Sequence, residues 1–224
     1  MAQWAKDLQL TIVIGINEVL GKSGGGGTIY NSLLTFDENG VLVNHHRKLV
    51  PTYTEKLLYG LGDSRGLKTV ETSFGKLGGL ICWEHFMPLT RQAMHQQGEV
   101  VHVAVWPSVH EMLQVGSRHY AFEGRCFVIA AGQIIRVKDL PTELELPEHL
   151  KNEPEKMLCY GGSCVIAPNG QYLLEPQLHT EGVLICDLDN LQQVYGERMA
   201  LDVVGHYARP DVCLLYTSPS PRDS

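Results

Sequence analysis

Lys76-Leu-Gly-Gly-Leu-Ile-Cys-Trp-Glu-His-Phe-Met-Pro88 is the stretch of sequence that decides the fold. Its first half is apolar and predicts a strand, and Pro88 suits the first turn of a helix that Gly98 ends. Cys82 therefore stands where a strand turns into a helix. A side chain on such a turn is exposed at a sheet edge, where backbone N–H groups can stabilise an oxyanion. Cys82 is a candidate nucleophile, and the alternative is a small buried hydrophobe.

Strands and helices alternate after this stretch. Val100–Trp106 predicts a strand, Val109–Gly124 a helix and Phe127–Ile135 another strand. Strand–helix–strand order implies parallel strand pairs with helices packed on a sheet face. Leu191–Met199 predicts a further helix near the end of the chain.

Two hairpins are predicted before and within this region. Thr28–Phe36 and Val41–His46 flank Asn39-Gly40, a dipeptide typical of tight hairpin turns. Leu67–Glu71 and Leu77–Cys82 form a second antiparallel pair. Hairpins combined with strand–helix–strand units indicate an α/β or α+β sandwich.

Other segments complete the pattern. Leu8–Ile16 is rich in Leu, Ile and Val and predicts a strand buried on both faces. Lys138–Met157 is too polar for a core and predicts a surface insertion. Ser163–Ala167 and Tyr172–Leu174 predict one more hairpin, and Val183–Asp187 a further strand.

The chain length and a low-complexity tail indicate where the folded domain lies. The 224 residues suit a single domain, which we assign to residues 1–215. Gly21–Gly27 has no following Gly-Lys-Ser/Thr, so a hairpin loop is favoured over a phosphate-binding loop. Residues 216–224 are a Ser/Pro-rich tail that resembles non-native adaptor sequence and is not expected to pack with the domain.

Charge and composition restrict the partners. The chain carries 18 Lys and Arg against 25 Asp and Glu, a net charge of −7, and its longest basic run is the pair Arg47–Lys48. This balance argues against a nucleic-acid partner. The apolar runs are strand-sized, so no membrane span is expected.

Cysteine usage indicates a reducing compartment. The six cysteines contain no C-x-x-C pair, which is typical neither of a disulfide framework nor of a zinc finger. The opening residues 1–7 have no signal-peptide pattern. We therefore expect reduced thiols, a cytoplasmic location, and a buried hydrophobic role for the five cysteines other than Cys82.

A reactive cysteine needs a cation to favour the thiolate and a carboxylate to handle protons. Lys48 ends a predicted hairpin strand, and Glu55 follows in the stretch 51–57. Composition alone favours a solvated strand-end charge for Lys48 and an exposed helix or loop position for Glu55. If Lys48 and the turn N–H groups face Cys82, its pKa should be lowered and Cys82 should be the most reactive thiol.

Four segments in order resemble the carbon–nitrogen hydrolases of the nitrilase superfamily. They are Arg47-Lys-Leu-Val-Pro-Thr52 with Glu55 behind it, Gly78-Gly-Leu-Ile-Cys-Trp-Glu84, Gly116-Ser-Arg-His-Tyr-Ala-Phe-Glu-Gly-Arg125 and Asp202-Val-Val-Gly-His-Tyr-Ala-Arg-Pro-Asp-Val212. Any one of these segments alone would be a weak signal. The match extends over about residues 8–212.

This resemblance implies a four-layer α-β-β-α sandwich that hydrolyses a nitrile to a carboxylic acid and ammonia. It assigns Cys82 as the nucleophile, Lys48 as the catalytic lysine and Glu55 as a second glutamate that positions substrate and lysine. The backbone N–H of Trp83 would join Lys48 in stabilising the developing anion. The resemblance implies a thioimidate and then a thioester intermediate, no cofactor, no metal, and a homo-oligomer when the protein is intact.

One departure from the family pattern bears on activity. Family members carry a first glutamate, the general base, in an early Phe-Pro-Glu-like segment, and none precedes Leu8 here. We therefore expect a domain incomplete at its N-terminus, with little activity in this chain. An amidase is one alternative, although Trp after the cysteine favours nitrilases over the amidase and carbamoylase branches. A cyanide-degrading relative is another, because such relatives also use a Cys-Trp-Glu-His sequence like residues 82–85. A non-catalytic assembly module is another.

The ten histidines are candidate metal ligands by residue type. His45 and His46 are adjacent on a predicted strand and so point to opposite faces. His102, His110 and His119 lie on different elements without the i, i+4 spacing of a helical metal pair. We expect no metal site.

Overall fold

Two β-sheets form the centre of the fold in the computed structural model, which describes residues 1–21, 26–188, 190–211 and 213. The first sheet is antiparallel and contains β1 (Ile12–Val19), β2 (Ile29–Phe36) and β3 (Leu42–Arg47) in that order. The β2–β3 pair confirms the hairpin predicted at Asn39-Gly40. Most of the glycine-rich loop, 22–25, and the tail 216–224 lie outside the described residues.

The second sheet has seven strands. They are β4 (Val70–Thr72), β5 (Gly75–Ile81), β6 (Val101–Trp106), β7 (Phe127–Gly132), β8 (Ile134–Arg136), β9 (Met157–Ile166) and β10 (Tyr172–Leu178). The strand order is β10-β9-β7-β6-β5-β4, and β8 pairs with β9. As predicted, β5, β6 and β7 are parallel, and the hairpins β4–β5 and β9–β10 are antiparallel.

Four α-helices accompany the sheets within the described chain. They are α1 (Ala2–Leu8), α2 (Pro88–His95), α3 (Glu111–Gly124) and α4 (Gln193–Ala200). Met94 of α2 and Tyr120 of α3 pack in one buried cluster with Leu80 of β5 and Ala104 of β6. Helices α2 and α3 therefore cover one face of the larger sheet, which the predicted strand–helix alternation requires.

The two sheets face each other through their apolar sides. A Cβ atom on Gly79 of β5 would lie 2.8 Å from Leu33 Cδ2 of β2, so the absence of a side chain allows this close approach. Val13 of β1 packs against the buried cluster that contains Val101 and Val103 of β6. The arrangement confirms the α/β class and the sandwich of facing sheets with helices outside.

Three sequence predictions need correction. Val183–Asp187 is not a strand, because the segment has no ladder partner among the described residues and Val183 and Ile185 are more than four-fifths exposed. Leu8 ends α1 instead of starting a strand. Strand β1 begins at Ile12 and contains no buried residue, so it is not buried on both faces as predicted. The strand predicted over Phe127–Ile135 is divided into β7 and β8.

The surface insertion is confirmed at Lys138–Met157, where most residues are exposed. Within the described chain, no helix has the length and apolar character needed to cross a membrane.

Candidate active site

Cys82 begins a short 3-10 turn, Cys82–Phe86, directly after β5. Its φ angle is +55°, in the left-handed region that residues other than glycine rarely adopt. Such a conformation persists only where the surroundings determine it, and it recurs at functional sites. The side chain is largely buried, with 8% of its residue surface exposed.

Glu84 ties this turn to the end of β3. Its carboxylate is buried and accepts hydrogen bonds from the backbone N–H of Ile81 at 2.7 Å and of Leu49 at 2.8 Å. The His46 ring nitrogen Nε2 lies 2.9 Å from the same carboxylate. The two backbone donors lie on either side of the site, next to Cys82 and Lys48. Sequence reasoning gave Glu84 no role, although it stands inside the Cys-Trp-Glu segment.

Replacing Glu84 with glutamine should therefore lower stability. Each oxygen of the Glu84 carboxylate accepts a hydrogen bond from one backbone N–H. In glutamine one of these oxygens is replaced by an NH2 group, so in either orientation of the amide one buried N–H loses its acceptor. An unsatisfied buried donor costs about 1–3 kcal/mol, and we expect Glu84→Gln to lower the free energy of unfolding by about that amount. Urea unfolding measures it, with the exposed Glu111→Gln as control. Equal stability of the two variants would contradict this role of Glu84.

Lys48 and Glu55 form an ion pair beside Cys82. The Lys48 ammonium donates to Glu55 Oε2 at 2.6 Å and to Thr52 Oγ1 at 3.0 Å, and the Thr52 N–H donates to the same Oε2 at 2.6 Å. Lys48 is 2% exposed and Glu55 34% exposed. Lys48 is therefore not the solvated strand-end charge of the alternative interpretation. Glu55 Oε1 accepts no hydrogen bond from any described residue.

Two adjoining cavities meet at Cys82. The first, of about 280 Å³, is lined by Lys48, Glu55 and Cys82 together with polar groups such as Ser32 and Gln133. The second, of about 430 Å³, shares Glu55 and Cys82. Its other lining residues are mainly apolar or aromatic and include Trp83, Leu113, Leu158 and Tyr160. The fold thus brings the sequence-predicted residues Cys82, Lys48, Glu55 and Trp83 to one place.

The expected lowering of the Cys82 pKa is wrong. Burial raises the pKa of this thiol more than the Lys48 charge and the Trp83 backbone N–H lower it, and the carboxylates of Glu55 and Glu84 raise it further. Sequence could identify the cation but not the depth of burial. The thiol is therefore mainly protonated at neutral pH, and forming the thiolate requires a proton acceptor.

Lys48→Met should raise the Cys82 pKa further, because it removes the cation that favours the thiolate. Alkylation by iodoacetamide requires the thiolate, so its rate at Cys82 should rise only at higher pH in the variant. Peptide-resolved mass spectrometry across pH 7–10 measures this, with the exposed Lys56→Met as control. Superimposable profiles for Lys48→Met and the unsubstituted chain would contradict it.

The remaining cysteines only partly fit the expected buried role. Cys126 and Cys164 are buried, and burial raises the pKa of Cys164 to about 12 and that of Cys126 well above its usual range. Cys159 and Cys186 are half-buried and Cys213 is exposed, so for these three the expectation is wrong. Burial thus disfavours the thiolate at Cys126 and Cys164.

The adjacent histidines His45 and His46 do not converge on one site. His45 contacts Glu18 and His46 contacts Glu84, so the two rings point to opposite faces as predicted. No group of three or more His, Cys, Asp or Glu side chains among the described residues could hold a metal ion.

Similarity to known proteins identifies the family. The sequence model described as "Carbon-nitrogen hydrolase" matches residues 1–195. The chain belongs to the carbon–nitrogen hydrolase family. A similar curated relative, the aliphatic nitrilase of Sinorhizobium fredii (strain HH103), is 38% identical over 224 residues, which cover all of this chain and 70% of the relative. The bifunctional nitrilase/nitrile hydratase NIT4B of Nicotiana tabacum is 36% identical over 220 residues, covering 96% of this chain and 61% of the relative.

Solved structures agree on the carbon–nitrogen hydrolase fold. The carbon-nitrogen hydrolase of Helicobacter pylori G27 superimposes with a TM-score of 0.74 at 21% identity, covering 94% of this chain and 72% of that one. Saccharomyces cerevisiae Nit3 gives a TM-score of 0.69 at 21% identity, covering 93% and 70%. The chain thus spans 61–72% of the length of these four proteins.

Proposed function

We propose that the protein hydrolyses an organic nitrile to a carboxylic acid and ammonia, with Cys82 as nucleophile. The observation that carries this proposal is the ion pair between the buried Lys48 and the half-buried Glu55, which lines the same cavity as a cysteine in a left-handed turn. Relatives named as nitrilases support the choice of reaction within the family.

Attack begins with loss of the thiol proton. The family resemblance assigns this proton to a further glutamate. Among the described residues lining the two cavities, Glu55 is the sole carboxylate, and its Oε1 is free to accept a proton. The Cys82 thiolate then forms a C–S bond to the nitrile carbon, and one π bond of the nitrile becomes an electron pair on nitrogen. The Lys48 ammonium and the Trp83 N–H stabilise this anion.

Two water molecules complete the reaction. Protonation of the nitrile nitrogen gives a thioimidate, and the first water adds to its carbon and expels ammonia, which leaves a thioester on Cys82. The second water cleaves the C–S bond and releases the carboxylic acid and the thiol. The sum is one nitrile and two waters converted to one acid and one ammonia, with no cofactor required.

The larger cavity favours an organic side chain on the nitrile. Its volume of about 430 Å³ and its lining by Trp83, Leu113, Leu158 and Tyr160 suit an aliphatic or arylaliphatic group better than cyanide alone. We therefore place the substrate carbon chain in this cavity and the nitrile carbon at the junction where Cys82 meets both spaces.

The test measures ammonia and acid from 3-phenylpropionitrile, from the corresponding amide and from cyanide. We expect release from the nitrile, at a slow rate, and a thioester or thioimidate mass increase located on the peptide that contains Cys82. Intact-mass measurement detects this adduct even when turnover is slow. Release from the amide or from cyanide alone would favour the alternative branches. Absence of both product and adduct would favour the non-catalytic assembly module.

A further inference from the structure

A chain of buried polar side chains lies behind Cys82 and takes no part in the proposed chemistry. The His85 Nδ1 lies 2.7 Å from the Cys82 carbonyl oxygen, and the His85 Nε2 lies 3.0 Å from the His102 Nε2. The His102 Nδ1 lies 2.8 Å from Glu99 Oε2, and the Tyr120 hydroxyl donates to Glu99 Oε1 at 2.5 Å. All four side chains are at most 1% exposed.

These contacts fix the number of protons in the chain. A carbonyl oxygen can only accept, so the His85 Nδ1 carries a hydrogen and donates it. If His85 is neutral, its Nε2 is an acceptor, and the His102 Nε2 must donate. The remaining contact, between the His102 Nδ1 and the Glu99 carboxylate, also needs a hydrogen. The three contacts therefore require three protons. Two neutral imidazoles hold one proton each and a carboxylate holds none, so this cluster needs one additional proton.

The pKa shifts of His85 and Glu99 are consistent with this number of protons. Burial and the neighbouring His102 charge lower the pKa of His85 to about 3, which keeps His85 neutral. Burial raises the pKa of Glu99, but His102 and then His95 outweigh it and hold the pKa well below its usual range. Further titratable or charged groups face the cluster from other elements: Arg91, Glu123, Cys126 and Arg198.

Close packing against the backbone and against neighbouring rings holds the cluster in place. Gly78 stands on β5 opposite Glu99, and a Cβ there would collide with Glu99 Oε2. The His85 ring stacks on Trp106 with ring centroids 4.8 Å apart, and the His102 ring lies 3.9 Å from that of Tyr120. The rings therefore cannot rotate freely, and only the positions of their protons are left to be decided by the hydrogen bonds.

We propose that Glu99, His102 and His85 are positioning residues that hold the Cys82 carbonyl, and with it the left-handed turn that presents the thiol. His102 is an imidazolium paired with the Glu99 carboxylate, and its Nε2–H keeps His85 in the Nδ1–H tautomer. In the opposite tautomer, a nitrogen lone pair of His85 would face the carbonyl oxygen and push the turn away. The link to catalysis rests on the proposed function, whereas the link to thiol geometry does not.

Nitrogen NMR of the chain labelled with ¹⁵N-histidine tests the protonation state directly. At pH 7.5 we expect the histidine whose signals disappear in His102→Gln to have both nitrogens protonated, and the histidine whose signals disappear in His85→Asn to carry hydrogen on Nδ1 alone. A neutral His102 in the unsubstituted chain would overturn the proposal. This measurement needs no variant to be active.

Thiol reactivity tests the positioning. An asparagine amide nitrogen falls near the position of the His85 Nδ1 and can still donate to the Cys82 carbonyl, whereas leucine cannot. Because small displacements at a reacting centre have large effects on rate, we expect His85→Leu to slow iodoacetamide labelling of Cys82 by about tenfold or more. His85→Asn should recover most of the rate, and the exposed His149→Asn is the control.

Labelling is measured per folded molecule, with folding checked by circular dichroism. Equal labelling rates in His85→Leu, His85→Asn and the unsubstituted chain would overturn the positioning role. Should the leucine variant not fold, the NMR result on the unsubstituted chain still decides the proposal. Since iodoacetamide labelling requires no nitrile, failure of the proposed nitrile hydrolysis would leave these outcomes readable.

Discussion

Replacing Cys82 with alanine is expected to lower nitrile hydrolysis by about 10⁴-fold or more, because groups that act as one unit lose nearly all their effect when one is removed. The C–S bond of both intermediates cannot form without the thiol. Alanine demands the same left-handed backbone as cysteine at a φ of +55°, so the substitution does not relieve or add strain at the turn. Ammonia release from 3-phenylpropionitrile measures the effect.

The Cys82→Ala variant also shows whether Cys159, and not Cys82, is the nucleophile. Cys159 is half-buried and lines the same larger cavity as Cys82. If Cys82→Ala kept activity and the adduct appeared on the Cys159 peptide, the nucleophile would be Cys159 and the role proposed for Cys82 would be wrong. The exposed Cys213→Ala is the matched control, and its rate should equal that of the unsubstituted chain.

Local signals in the sequence were enough for much of the fold. The Asn39-Gly40 turn predicts its own hairpin because the dipeptide suits the required backbone angles, and β2 and β3 follow from it. The alternation around α3 predicts parallel strands because a helical connection must cross the sheet face. The prediction for Val183–Asp187 was wrong because an apolar run becomes a strand only when another strand supplies hydrogen bonds, and a short sequence does not show whether one is within reach.

The site was predictable only in part. Cys82, Lys48 and Glu55 could be named from short segments and a family resemblance, and the fold brings them to one cavity. Their electrostatics could not be predicted, since the raised Cys82 pKa depends first on burial. The positioning contacts are also long-range. Glu84 bonds to the Leu49 N–H 35 positions away, and each partner alone looks like an ordinary residue.

Glu55→Gln tests whether the carboxylate beside Lys48 takes the thiol proton. Glutamine keeps the size of the side chain, and its amide oxygen can still accept from the Lys48 ammonium or the Thr52 N–H, but the amide cannot accept a proton at neutral pH. A general base contributes about 10²–10⁴-fold to rate, and we expect kcat for nitrile hydrolysis to fall by about that factor. Formation of the Cys82 adduct should slow equally, because the proton leaves before the C–S bond forms. KM should change less, since the apolar lining of the larger cavity is untouched.

A control variant and the rate of adduct formation distinguish two roles for Glu55: general base, or a residue that only orients Lys48. Glu143→Gln changes an exposed carboxylate in the surface insertion and should leave the rate unchanged. If Glu55 only orients Lys48, adduct formation in Glu55→Gln should remain close to the unsubstituted rate, because the amide oxygen can hold the ammonium. That result would mean that another acceptor removes the thiol proton. Restoration of the Glu55→Gln rate by added formate, a small carboxylate that fits the cavity of about 280 Å³, would instead identify the missing group as the base.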